Sequence, residues 1–355
     1  MDQVKNLPYE QLQSDTIKLV RLPLIIGVVM VHASLEGIVI GGEQFINILD
    51  FPVYDYYKFF IDKVLGVRIP LYFFISGYLF FNRADSFGFA DYKKKIRRRT
   101  DTLLIPYLSW TIITILILLL QQQVFSEFSS GAQKSILDWN FYDVYNAFWG
   151  DPISVSLWFV RDLFSIMLLS PALYWLIKRF KMLPVILFTL AWIIFEKRTL
   201  CGFAFFGMGA YFSITKRNFV ETFAPYSWKI YTLFSLLAIG LFLLKGTSFE
   251  PYYNRMIIPI GSICVVLICS HLLHKKVCKA NDTLANASFF IFVYHQIPTA
   301  VLLKLIVKFI PIQSSFTLIS MHILCTTIIV CIGLGIYLFI RKYSPLLLKL
   351  LSGGR

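Results

Sequence analysis

Charge is scarce in this chain: Asp, Glu, Lys and Arg make up 15% of its 355 residues, against 57% hydrophobic, and the mean hydropathy is +0.68. Soluble domains carry about a quarter charged residues, so a soluble globular protein is excluded. The six cysteines, at 201, 264, 269, 278, 325 and 331, form no CxxC pair and no metal-like spacing, which removes zinc ribbons and dithiol redox motifs. Nothing in the sequence calls for a metal. Also missing are the GxSxG nucleophile elbow, HExxH, the P-loop and the GxGxxG dinucleotide turn. Low-complexity linkers and a clear internal repeat are lacking as well, so a solenoid or a string of domains is not expected.

What the chain does have is a series of apolar windows of about 20 residues, long enough to cross a bilayer. They fall near 17–40, 64–82, 102–120, 154–177, 182–195, 199–214, 228–245, 256–273, 287–309 and 316–340. The expected fold is an all-α, polytopic transmembrane helical bundle of about ten spans, with cytoplasmic N- and C-termini. Residues 1–16 read as a cytoplasmic tail, 17–342 as one transmembrane domain and 343–355 as a second cytoplasmic tail. The windows 182–195 and 199–214 are short and only Glu196, Lys197 and Arg198 part them, so a re-entrant pair fits there too. The first window follows a polar tail and is as long as a full span, so it is expected to stay in the mature protein.

The net charge of +14 is explained by where the cations lie. With a cytoplasmic N-terminus, 22 of the 34 Lys and Arg fall on inner segments, among them Lys5, Lys18, Arg83, Lys93–Lys95, Arg97–Arg99, Arg341 and Arg355, and nine on outer loops. That is the positive-inside bias of a membrane protein. No nucleic-acid partner is expected, and the basic run Lys93–Arg99 suits anionic headgroups of the lipid bilayer.

Polar groups inside the spans are costly and so informative. Arg21 and His32 lie eleven residues apart in the first window. At about 100° per residue they return to nearly one helical face, with a rise of roughly 16 Å between them. Glu36 follows His32 by four residues and is expected to meet it on that face and hold its tautomer. Arg68 and Ser76 belong to the second window, Trp158, Arg161 and Asp162 to the fourth, and Tyr294 and His295 to the ninth; together they read as the wall of one polar cavity. Each has a plainer reading. Arg21 can snorkel to the cytoplasmic interface, and Arg68 and Arg161 can be ion-pair partners of Glu36 and Asp162. His322, alone in the last span, reads as an interhelical hydrogen-bonding residue, and His271 and His274 as solvated interfacial ones. Outer loops at 41–62 and 121–153 combine Tyr and Trp with Asp, which suits either a sugar ring or an interfacial aromatic belt. A histidine in an apolar shaft favours general-base chemistry on a hydroxyl, with a pre-activated acyl donor.

At this point the motifs resemble the acyltransferase 3 family of bacterial integral-membrane acyltransferases. The Arg21-to-His32 spacing is similar to the family's first-helix signature, and Pro70-Leu-Tyr-Phe-Phe-Ile-Ser-Gly77, Leu157-Trp-Phe159 and Ser288…Tyr294-His295 are similar to three further patterns in the same order. The resemblance covers about 17–340. It implies an enzyme in the bacterial inner membrane that carries no permanently bound cofactor. As co-substrate it takes acetyl-CoA or another acyl-CoA, and the acceptor is a hydroxyl of an envelope carbohydrate or lipid-linked glycan. By the same resemblance His32 would act as base or proton relay and Arg21 would help hold the donor, with donor binding or cavity charge the expected role of Arg161; Glu36 is the expected catalytic neighbour of His32 by its spacing. Arg68, Asp162, Ser76, Trp158, Tyr294 and His295 would line the cavity. A transporter or flippase of an envelope glycan, or transfer of succinyl or another acyl group, remain alternatives.

Overall fold

The structure, a computed structural model, describes residues 9–40, 43–82, 87–124 and 134–354. Lys5, Arg83, Arg355 and part of the expected outer loop 121–153 lie outside the described residues. In chain order the helices are α1 Tyr9–His32, α2 Pro52–Val64, α3 Arg68–Phe81, α4 Phe89–Arg99, α5 Ile105–Val124 and α6 Phe141–Tyr145. They continue with α7 Trp158–Leu168, α8 Ser170–Phe180, α9 Leu183–Phe195, α10 Arg198–Ile214, α11 Phe219–Phe223 and α12 Ser227–Leu243. The last are α13 Glu250–His274, α14 Asp282–Tyr294, α15 Gln296–Phe309, α16 Ser315–Tyr343 and α17 Pro345–Ser352. Among the described residues, strand is confined to a short antiparallel pair in which Val39 faces Gln44 and Ile40 faces Glu43.

Each apolar window is helical over most of its length, and the chain is a multi-pass helical membrane protein. Five stretches are long and apolar enough to cross a bilayer: Pro52–Phe81, Phe89–Val124, Phe219–Leu243, Glu250–His274 and Ser315–Tyr343. Counting each of two broken helix pairs as one span raises the number to seven. Three expectations about the windows need correction. The first ends at His32, well before residue 40, because the chain leaves the helix there. The segment 41–62 is not a loop throughout, since α2 occupies its second half and buries Tyr54 completely. The windows at 154–177 and 287–309 are each broken, at Leu169 and at His295.

Both breaks have a proline cause. Pro171 and Pro298 lie just inside α8 and α15, where each lacks the N–H that would bond four residues back and its ring crowds that carbonyl, of Met167 and Tyr294 respectively. The second break bends α14 against α15 by 64°. By contrast, α9 and α10 are two separate helices that turn at Glu196, whose φ of 55° is left-handed. They pack antiparallel through Trp192 on Phe205 and Phe188 on Phe203.

Packing divides the chain into two compact units. The first comprises Met1–Leu24, Lys63–Arg97 and Ser165–Ala285. Its centre is the crossing of α3 and α10, made close by glycine: a Cβ on Gly77 would sit 2.0 Å from the Phe206 carbonyl oxygen, and one on Gly209 2.0 Å from that of Phe74. Small residues let helix backbones approach in this way in membranes. Gln13 ties α1 to this centre, donating to the Tyr78 hydroxyl at 2.6 Å and accepting from the Phe219 N–H at 2.8 Å. Buried Arg255 is matched by Glu196 at 2.7 Å, the Ile193 carbonyl at 3.0 Å and the ring of Tyr252, as a cation taken from water must be.

The second unit comprises Ile25–Asp62, Arg98–Phe164 and Asn286–Arg355. Trp110 of α5 packs on Phe290 and Tyr294, and its indole N–H donates to the Leu351 carbonyl of α17 at 2.9 Å. Phe290 stacks on Tyr294 and meets Tyr337 of α16, so aromatic faces join three helices of this unit and the indole hydrogen bond adds α17.

Candidate active site

The ten residues singled out from sequence divide between the units. Arg21, Arg68 and Ser76 belong to the first; His32, Glu36, Trp158, Arg161, Asp162, Tyr294 and His295 belong to the second. In the first, the Tyr72 hydroxyl of α3 donates to the Arg21 carbonyl at 2.8 Å, fixing α1 against α3. The Arg21 guanidinium, half-buried, makes no hydrogen bond or ion pair among the described residues. Arg68 instead donates to the Leu65 carbonyl at 2.7 Å, at the start of α3, and Ser76 is half-buried on the same helix.

In the second unit, His32 is the last residue of α1 and is exposed. Its ring lies 5.3 Å, centroid to centroid, from that of His295, which is fully buried at the apex of the α14–α15 break. Gln296, the next residue, anchors the break by accepting from the Ser154 hydroxyl at 3.0 Å and the Ser156 N–H at 2.8 Å.

The chain on either side of His32 is held by residues that the sequence did not single out for the site. His322 Nε2 lies 2.5 Å from the Met30 carbonyl and its Nδ1 3.3 Å from the Tyr54 hydroxyl. A carbonyl only accepts, so Nε2 carries the proton and Nδ1 accepts from Tyr54. The Tyr54 oxygen in turn accepts from the Leu35 N–H at 3.2 Å. His322 is thus the interhelical hydrogen-bonding residue that its sequence setting predicts, and it clamps the end of α1. Tyr54 carried no comparable signal, because a tyrosine in an aromatic-rich stretch reads as interface.

Two of the residues have partners within the second unit. Glu36 cannot use a helical four-residue spacing to reach His32, because α1 ends at His32; its carboxylate pairs with Lys58 at 3.1 Å, and Lys58 also holds Asp62 at 2.7 Å. Arg161 is occupied within the protein, with its Nε and Nη2 on Asp162 at 2.8 and 2.7 Å and its Nη1 on the Trp149 and Gly150 carbonyls, both at 2.7 Å. That makes it a staple between α7 and the segment 146–150, and leaves Asp162 buried and paired. Trp158, half-buried, meets Phe159 edge to face.

Beside His295, Tyr294 opens onto an almost wholly apolar groove of about 480 Å³, shared with Trp110, Ile117, Val301, Leu305 and Ile332. The aromatic segment after α5 keeps Phe141, Tyr142 and Tyr145 exposed on α6. There Lys134, 2.5 Å away, together with the Asn140 N–H, holds the Asp143 carboxyl below its ordinary range. Among the described residues no group of three or more His, Cys, Asp or Glu side chains could hold a metal ion.

Comparison with known proteins bears on what this arrangement does. A family model described as an acyltransferase domain matches residues 15–338. The chain is 26% identical, over 96% of its own length and 92% of the relative's, to the succinoglycan biosynthesis protein ExoH of Rhizobium meliloti (strain 1021). No solved structure matches.

Proposed function

The chain belongs to the acyltransferase 3 family, and on that premise we propose that it moves an acetyl group from acetyl-CoA to a hydroxyl of a cell-envelope or exopolysaccharide sugar. It is a membrane acyltransferase and not an aminoacyl transferase. The observation that carries the finer reading is His32: an exposed imidazole at the end of a helix, clamped on both sides and backed by a second imidazole. His32 removes the acceptor proton as the sugar oxygen attacks the thioester carbonyl. The C–O bond forms, the C–S bond breaks, and the proton passes from His32 to the leaving thiolate, giving coenzyme A and the ester. A base acting directly on the nucleophile contributes about 10²–10⁴-fold.

Arg21, whose guanidinium has no hydrogen-bonding partner among the described residues, supplies charge for the anionic donor. For Arg161, the bonds to Asp162 and to the Trp149 and Gly150 carbonyls support a positioning role. The likeness to a succinoglycan biosynthesis protein supports an exopolysaccharide acceptor, and the apolar groove beside Tyr294 suits the hydrocarbon tail of a lipid-linked form of it. We further take the chain to cross the bacterial inner membrane about ten times with both ends cytoplasmic, a reading that the basic residues support. Donor identity is tested by heating the purified protein with acetyl-CoA, succinyl-CoA or free coenzyme A. A ligand at 100 times its dissociation constant stabilises by about 2.7 kcal/mol. Protection by acetyl-CoA above the other two supports the reading; stronger protection by succinyl-CoA changes the donor, and none by any acyl-CoA favours glycan transport.

A further inference from the structure

The role of His295 rests on its tautomer. Its Nδ1 lies 2.7 Å from the Phe292 carbonyl of its own helix. Since a carbonyl only accepts, Nδ1 carries the hydrogen, and the neutral ring leaves Nε2 as a bare acceptor. That Nε2 is buried and has no hydrogen-bonding partner among the described residues. A buried acceptor without a donor is a costly exception in a folded protein and calls for an explanation. Phe292 and His32 are the rings found against His295, and of the two only His32 has an N–H to give.

The spacing fits such a bond. An imidazole nitrogen lies about 1.2 Å from its ring centroid and an N–H hydrogen bond spans about 2.9 Å, so two imidazoles joined nitrogen to nitrogen have centroids about 5.3 Å apart. The centroids of His32 and His295 are 5.3 Å apart, with the planes inclined by 46°. The spacing of the two rings therefore matches a nitrogen-to-nitrogen hydrogen bond.

We propose that His295 is a positioning residue for His32: its Nε2 accepts the N–H of one His32 nitrogen, which leaves the other nitrogen of His32 as the lone pair that faces the acceptor hydroxyl. This rests on the reading of His32 as the base. When His32 takes the acceptor's proton, the N–H toward His295 becomes a charged donor, and charge-assisted bonds are the stronger ones. The bond therefore tightens as the reaction proceeds, which is where an interaction must act to raise kcat. His295 itself stays neutral throughout, and the Phe292 carbonyl keeps it in the required tautomer. It does the work first expected of Glu36, which Lys58 occupies instead.

The test pairs kinetics with a readout that needs no turnover. His295→Phe keeps a ring and removes the acceptor; His295→Gln restores an acceptor near the Nε2 position. His295→Phe is expected to lose about 10²-fold in kcat with an unchanged KM for acyl-CoA, and His295→Gln to recover most of that loss. Equal activity of His295→Phe and wild type, or equal loss in both variants at wild-type thermal stability, overturns the proposal. In parallel, ¹⁵N-histidine spectra of the purified protein at neutral pH should show His295 protonated on Nδ1 and bare on Nε2. Replacing His32 with Ala should move the His295 Nε2 resonance. A His295 protonated on Nε2, or a resonance indifferent to His32, overturns the proposal even if transfer is observed. Absence of transfer by the wild type from any acyl-CoA refutes the proposed function and leaves the spectra to decide whether the two rings are coupled.

Discussion

Gly77→Ala puts a methyl group into a place where backbone already stands. The added Cβ would lie 2.0 Å from the Phe206 carbonyl oxygen, 2.8 Å from its carbon and 2.9 Å from the Phe206 Cα. Ordinary contact begins at 3.4 Å, so α3 and α10 would have to separate by about an ångström locally, which forfeits a quarter to a half of the dispersion well for each pair of atoms parted. No rotamer change relieves it, because the obstruction is main chain. Overpacking of this kind costs about 1–3 kcal/mol, and the rigid neighbour places Gly77 near the upper end. For a chain of this size that corresponds to a drop in Tm on the order of 1–4 °C. The buried Cys201, Cys264, Cys269 and Cys325 supply the assay, since a thiol-reactive fluorophore labels them as the protein opens on heating. Gly335→Ala is the control: nothing lies within 4 Å of its added Cβ, and alanine's better helix propensity makes it neutral or stabilising by up to about 1 kcal/mol. A Gly77→Ala protein that melts with the wild type refutes the close crossing.

The other expectations concern the site. Arg21→Ala should raise KM for acyl-CoA about tenfold or more with a smaller change in kcat, whereas Arg21→Lys keeps part of the affinity; an unchanged KM removes Arg21 from donor binding. Tyr54→Phe breaks the link between Leu35 and His322 and should cost about 1–3 kcal/mol by leaving buried groups unpaired, read as a lower Tm and reduced transfer. Arg161→Gln uncouples the Trp149 and Gly150 carbonyls from α7; limited proteolysis should then cut near 146–150 sooner than in wild type, with KM for the donor unchanged, and a raised KM would return Arg161 to the donor site. Glu36→Gln, which loses only the pairing with Lys58, should retain transfer within about tenfold.

Much of this architecture was legible in the sequence because its determinants are local. A run of about 20 apolar residues has few structural options in a bilayer other than helix, and each such run is helical over most of its length. The kinks were legible in principle through Pro171 and Pro298, whose effect on the carbonyl four residues back is independent of tertiary context. The site was harder to read. Arg21 and His32 declared themselves as costly groups on one helix, but periodicity alone could not show where that helix ends, and its end at His32 is what redirects Glu36 to Lys58. The approach of His295 to His32 joins residues 263 positions apart in sequence, and the clamp from Met30 to His322 spans 292. Contacts at that range depend on packing that no spacing rule encodes. Arg161 shows the converse: its charge was visible, but that carbonyls and a neighbouring carboxylate consume it was not.

The reading of His32 as the base is tested most directly by supplying acetyl-labelled coenzyme A and an envelope glycan extract to membranes that carry equal amounts of wild-type or His32→Ala protein, and counting label in the glycan fraction. The account predicts label with the wild type and a loss of at least about 10²-fold with His32→Ala. Label at the wild-type level from a well-inserted His32→Ala protein would contradict it.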